Sequence, residues 1–275
     1  MTTICEIQLR KILDSRGNPT VEADIYTENG FGRAAAPSGA STGLYEAKVV
    51  EPDVAIGFAM QNLIPILIGE DARDQAGIDE KIRETDGTRD FSVLGANVAV
   101  AVSMAAAKAA ASARGMELYE YLGGVFIFFF PLPIGSVIGG GAHAEGATEI
   151  QEFLVVATGA SGPTEAVFAN AAVHRELKAL LKREGKSCGK GDEGAWAPRV
   201  TDAEAFELLS EAVGTVSENL DITIRIGLDV AASQLWQDKG IYRYRDRVCS
   251  TEEQIAYICE LVDRYDLGYV EDPLH

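Results

Sequence analysis

The sequence predicts an α/β chain in two parts: an α+β unit of strand meander plus helices over residues 1–125, then the first half of a βα barrel over residues 131–275. Three observations predict this. Strand-like runs open the chain and give way near Glu51 to helical patterning. After Pro131, short β-branched runs are separated by amphipathic stretches, the texture of βα architecture. Carboxylates recur toward the C-terminal ends of those runs, Glu152 within the second, Asp229 closing the third and Glu271-Asp272 closing the fourth, and those ends form the active-site face of a barrel.

In the first part, residues 4–12 and 20–26 read as strands, punctuated by Asp14-Ser-Arg-Gly-Asn-Pro19 and by Glu28-Asn-Gly30. That is an antiparallel meander. Residues 54–67 carry apolar side chains at helical spacing, and 97–114 are Ala-rich with only Lys108 charged before the end. Such a helix is expected to be buried nearly all round. The unit closes near Gly123-Gly124.

In the second part, 132–138 and 149–157 read as strands, then 163–183 and 202–219 as helices. Residues 222–229 follow as a strand, 241–245 as a short edge piece, 251–265 as a helix and 268–271 as a last strand. Largely parallel pairing is expected. A complete TIM-type barrel takes about 250 residues. Residues 131–275 supply 145 and four principal strands, so on this reading about half a barrel is missing.

Composition narrows the partners. Hydrophobic residues make up 47% and charged residues 24%, close to globular averages, which excludes disordered and fibrous classes. The 42 acidic against 24 basic residues leave −18, which repels phosphate backbones and anionic lipid surfaces. Nucleic acid and membrane are therefore not expected partners, and an anionic substrate would need a local cation. Cys5, Cys188, Cys249 and Cys259 show no close spacing and are expected to be reduced, mostly buried thiols. The first residues lack a basic stretch followed by an apolar one, which points to the cytoplasm. The apolar run 125–134 contains two prolines and is far short of the roughly 20 residues of a membrane span.

Candidate chemistry sits at strand ends and glycine-rich loops. Asp229 and Glu271 each follow an apolar strand, and two such carboxylates on adjacent strands suit Mg²⁺, which takes hard oxygen ligands. A single strand-end acid would more simply cap a helix. Glu193 lies in a glycine-rich loop over 189–198, and residues 189–194 formally match the dinucleotide fingerprint. That match fails on context, because a helix precedes it and a proline follows. His143 stands on the loop Gly139-Gly-Gly-Ala-His143, whereas His174 is mid-helix and reads as surface or core. Gln151 and Glu152 would point to opposite faces of a regular strand, so only one would face the site. Ser41 belongs to a small-residue loop over 37–43, either a plain linker or a lid closing over substrate.

Seven segments, in order, resemble motifs of the enolase family: Asp14-Ser-Arg-Gly-Asn-Pro-Thr20, Ser38-Gly-Ala-Ser-Thr-Gly43, Leu94-Gly-Ala-Asn97, Gln151-Glu-Phe153, Gly191-Asp-Glu-Gly194, Gly227-Leu-Asp229 and Glu271-Asp-Pro273. Gly139 departs, standing where many members have asparagine. The resemblance implies a Mg²⁺-dependent lyase interconverting 2-phosphoglycerate and phosphoenolpyruvate. By position it implies that Asp229 and Glu271 are two of three carboxylates on a first Mg²⁺ and that Ser41 is the lid residue reaching a second. It further implies that Glu193, assisted by Glu152, helps the hydroxyl leave, and that His143 and Gln151 contact substrate. The family's third metal carboxylate, lysine base and phosphate-gripping residues belong to the other barrel half. The resemblance therefore implies a chain inactive until completed by a C-terminal barrel half or a second subunit of an oligomer. The alternative class is a non-catalytic binding or assembly protein keeping the first half of the fold.

Overall fold

The computed structural model describes residues 1–39, 43, 45–124, 130–191 and 193–275. The chain divides into two compact units, Met1–Phe128 and Phe129–His275.

The first unit opens with β1 (Ile4–Leu13), β2 (Pro19–Thr27) and β3 (Phe31–Ala35), paired antiparallel in that order. The turn between β1 and β2 is set by Asp14, whose Oδ1 accepts the backbone N–H of Arg16 at 2.9 Å and of Asn18 at 2.8 Å, an aspartate turn of the kind short acidic side chains favour. Next come α1 (Pro52–Asn62), α2 (Ile64–Leu67), α3 (Gln75–Asp86), α4 (Ala96–Ala113) and α5 (Leu118–Gly123). The single helix expected over 54–67 breaks at Leu63, because Pro65 has no N–H to return to the preceding turn. Helix α4 is long and apolar enough to cross a membrane by length and composition, but it is the core helix of this unit, packed against Val21, Ala23 and Ile25 of the sheet. It is not buried all round as expected. Val100 and Met104, one turn apart, are 39% and 41% exposed and leave an open stripe.

The second unit contains β4 (Ile134–Gly139), β5 (Glu152–Val156), α6 (Pro163–Arg183), α7 (Asp202–Leu220) and β6 (Arg225–Asp229). A small antiparallel sheet of β7 (Trp236–Gln237), β8 (Ile241–Arg243) and β9 (Val248–Ser250) precedes α8 (Thr251–Tyr265) and β10 (Tyr269–Glu271). The main sheet has the order β4-β5-β6-β10, and among the described residues it does not close on itself.

Its pairing corrects the parallel expectation. β4 with β5 and β5 with β6 are antiparallel, and only β6 with β10 is parallel. The number of helices between strands explains each case. β4 reaches β5 with no long helix and turns back directly. Two helices, α6 and α7, separate β5 from β6, and a chain that traverses the sheet twice arrives at the end it left. One long helix, α8, separates β6 from β10, and a single return traverse gives a parallel pair. Glu152 consequently opens its strand instead of lying inside or closing it.

The thiols also differ from expectation. All four are free, but Cys249 alone is buried, while Cys5 and Cys259 are exposed. Cys5 lies beside the β-bulge of β1 and Cys259 on the outer face of α8, four residues after the exposed Ile255.

The helices are pinned to the main sheet by aromatic contacts. Phe153 of β5 meets Phe206 of α7 edge to face at 5.0 Å, and Phe206 stacks on Tyr265 of α8 at 4.2 Å. Truncating a buried phenylalanine typically costs about 3–5 kcal/mol. Phe206→Ala should therefore lower the unfolding free energy of the second unit, read from its urea transition, by that amount. Both tryptophans, Trp196 and Trp236, lie in this unit, so their fluorescence reports it selectively. A loss below about 1 kcal/mol would contradict the packing.

Candidate active site

Register builds the site. Gly139 pairs with Glu152, Glu152 with Asp229, and Asp229 with Glu271. These four positions form one row across one end of the main sheet, and paired residues share a face. The start of β5 lies against the end of β6 because the two strands run in opposite directions.

Asp229 occupies the middle of the row and is half-buried. Its Oδ2 accepts the side-chain N–H of Gln151 at 2.9 Å and its Oδ1 the backbone N–H of Ala231 at 2.9 Å. Gln234 donates its own amide to Gln151 Oε1 at 2.7 Å, which turns the Gln151 nitrogen toward the carboxylate. Burial pushes the Asp229 carboxyl above the usual range, and the nearby Glu271 and Asp272 push the same way. Glu271 is exposed and accepts the Tyr269 hydroxyl at 2.9 Å. Among the described residues no lysine or arginine forms an ion pair with either carboxylate.

Gln151 bonds Asp229, whereas Glu152 lies beside His143. Gln151 precedes the first residue of β5, so strand alternation does not govern its direction. Glu152 turns to a second cluster, where ligand atoms of His143, Glu152 and Glu193 all lie within 4.8 Å of one another. His143 ends a 3₁₀ turn (Gly141–His143), and its Nδ1 is 3.2 Å from Glu152 Oε1. Burial pushes the Glu152 carboxyl up to about 7; the adjoining Glu193 adds to the rise and His143 opposes it. Such a group is poised to hold or release a proton near neutral pH.

Glu193 comes from a tight reversal. Gly191 N–H bonds Ala195 O at 3.0 Å, and Ala197 N–H bonds Gly189 O at 2.8 Å. Two glycines are required here. Gly194 sits at φ +83°, and a Cβ at Gly191 would come within 2.9 Å of the His143 carbonyl oxygen, so glycine lets the two loops touch. Ser41 lies outside the described residues.

Sequence reasoning missed two residues. Gln234, in the 3₁₀ turn after β6 (Ala232–Gln234), acts on a side chain 83 positions earlier, and nothing local announces it. His174, half-buried on α6, is not marked by any sequence pattern as a neighbour of Glu193, and its Nε2 is 3.1 Å from the Gly194 carbonyl beside that acid.

The Glu152 shift makes stability depend on pH. Folding raises this carboxyl from an ordinary 4.5 to about 7, so the folded state holds a proton that the unfolded chain releases. The stabilisation is full below about 4.5 and fades as pH rises through about 7. The second unit should resist urea better at pH 5 than at pH 8, and Glu152→Gln should reduce that difference. An unchanged pH dependence in the variant would contradict the protonated carboxyl.

Comparison with known proteins identifies the family. The family model described as "Enolase, N-terminal domain" matches residues 4–122, and "Enolase, C-terminal TIM barrel domain" matches residues 127–275. The chain is 60% identical over 276 residues to the enolase of Methanocorpusculum labreanum, covering 100% of this chain and 69% of that protein. It is 55% identical over 277 residues to the enolase of Halorubrum lacusprofundi, again covering 100% and 69%. The Archaeoglobus fulgidus enolase is 51% identical over 270 residues, covering 98% of this chain and 67% of the relative. The chain belongs to the enolase family, the hydro-lyases that interconvert 2-phosphoglycerate and phosphoenolpyruvate.

Proposed function

We propose that residues 131–275 form the first half of an enolase-type barrel carrying the proton-handling and part of the metal-binding machinery for 2-phosphoglycerate dehydration, with residues 1–125 as its capping unit. The observation that carries this reading is the row of register partners that sets Glu152, Asp229 and Glu271 at one end of one sheet.

In this reading Glu152 carries a proton near neutral pH, because burial and the neighbouring Glu193 both raise its carboxyl, and Glu193 lies within 4.8 Å of it. That proton can pass to a leaving hydroxyl, which departs as water when the C–O bond breaks. His143 and Gln151 contact the substrate. Gln151 is held in place for this by Gln234, and His143 sits against Glu152.

Asp229 and Glu271 fit a divalent cation on chemical grounds. They are hard oxygen donors in matched positions with no cationic side chain paired to them among the described residues, and their mutual repulsion helps hold the Asp229 carboxyl above its usual range. Mg²⁺ takes such a pair, with water and substrate oxygens completing its octahedron. When bound, it would stabilise negative charge on the substrate carboxylate. Ser41 is assigned to the lid by motif position alone.

Among the described residues the main sheet ends at β10 on one side and at β4 on the other, where β4 meets only the isolated bridge of Ile138 with Trp196. The chain spans 69% of the length of the first two relatives. The remaining strands of an enolase-type barrel would cover these edges and bring the base. The cytoplasm is the matching compartment, where free thiols stay reduced.

Two measurements test the reading. Calorimetric titration should find Mg²⁺ bound, with affinity at least tenfold lower in an Asp229→Asn, Glu271→Gln double variant; equal affinities would remove the metal assignment. With the barrel completed, phosphoenolpyruvate should form from 2-phosphoglycerate, and Glu193→Gln should slow it by about 10² to 10⁴, the usual contribution of a general acid. No product from the completed barrel would favour a non-catalytic binding protein.

A further inference from the structure

The loop that carries Glu193 is held at its base and at its tip by different means. At the base, Trp196 runs beside β4: its N–H bonds Val137 O at 2.9 Å, and its carbonyl accepts the Gly139 N–H at 2.9 Å. The indole Nε1 donates to the His174 carbonyl on α6 at 2.8 Å. These bonds secure residue 196, three positions beyond the acid.

The tip has other requirements. The backbone N–H of Gly194 turns inward to Gly191 O at 3.1 Å, and Gly191 N–H closes on Ala195 O. Both bonds stay within the loop and do not fix it to the rest of the unit. Among the described residues, the hydrogen bond that ties the backbone of 193–194 to the body of the unit runs from His174 Nε2 to the Gly194 carbonyl at 3.1 Å. A carbonyl only accepts, so Nε2 carries the ring proton. The imidazole also stacks on the Trp196 ring at 4.6 Å with 25° between planes, which fixes the direction in which Nε2 points.

We propose that His174 is the positioning residue for Glu193: its Nε2–H, aimed by the Trp196 stack, holds the Gly194 carbonyl and thereby keeps the Glu193 carboxylate against Glu152 and His143. The surroundings suit a neutral ring. Burial lowers the His174 pKa, the bond to the Gly194 carbonyl opposes this in part, and Lys190, Lys178 and Arg175 add to the lowering. Lys178 and Lys190 also lie 5.0 and 4.8 Å from the Trp196 ring centroid. The proposal rests on the reading of Glu193 as the acid, but the bond and its effect on the loop can be measured without turnover.

The test compares His174→Phe, which keeps an aromatic ring and loses the donor, with His174→Gln, which restores an N–H at similar reach. The readouts are the Glu193 side-chain carboxyl ¹³C signal, identified by its disappearance in Glu193→Gln, and amide hydrogen exchange at Gly194. In His174→Phe the carboxyl signal should shift or broaden, and Gly194 exchange should accelerate about 3- to 10-fold, as expected for loss of one neutral hydrogen bond. His174→Gln should return both toward wild type. Wild-type behaviour in His174→Phe, or equal disruption in both variants, would overturn the proposal. Should His174→Phe fail to fold, ¹⁵N spectra of the wild-type ring decide: an Nε2–H tautomer supports the bond and an Nδ1–H tautomer overturns it. Normal turnover of the completed enzyme after Glu193→Gln would sink the reading of the acid while leaving these loop measurements unaffected.

Discussion

The direction of β5 controls everything that follows at the sheet end. Two helices lie between β5 and β6, so the chain returns to the end it left and the strands pair antiparallel. The first residue of β5, Glu152, therefore meets the last residue of β6, Asp229, and β10 adds Glu271 in parallel register. Had one helix separated β5 from β6, a parallel pair would have carried Glu152 to the far end of the sheet. A slip of one residue would have turned the carboxylate to the other face.

Bringing acids together in a partly buried place is unfavourable unless each charge is compensated. The two sides of the row use different means. Around Asp229 the compensation is by dipoles, the Gln151 amide and the Ala231 N–H. Around Glu152 it is by protonation, because Glu193 and burial together make the neutral form accessible near pH 7. In the proposed reading a cation-binding side and a proton-carrying side therefore lie next to each other at this end of the sheet. Gln234 orients Gln151 toward Asp229, and His174 holds the loop that brings Glu193 to Glu152.

Much of this was legible in the sequence, and the failures have definite physical causes. Asp229 and Glu271 stood out because each follows an apolar strand, and the glycines around Glu193 announced a tight reversal. Strand direction was misread by treating every helical stretch as a crossover. The two consecutive helices over 163–183 and 202–219 were visible, and counting them would have reversed β5. The opposite-face rule does not govern Gln151, because the strand starts one residue later. The break at Leu63 was written in Pro65. Gln234 and His174 were not legible, since their partners lie 83 and 20 positions away and their roles come from contacts that no local pattern encodes.

The central claim is that Glu152, Asp229 and Glu271 share one end of one sheet and that a divalent cation settles there. Paramagnetic broadening by Mn²⁺, a spectroscopic substitute for Mg²⁺, tests both parts at once in backbone NMR spectra of the whole chain. The account predicts that substoichiometric Mn²⁺ broadens Gly139, Glu152, Asp229 and Glu271 together, while Ile134, Val156 and Arg225, the register row at the opposite end of the same strands, stay sharp. Broadening centred on Val156 and Arg225, or Asp229 broadened with Glu152 untouched, would contradict it.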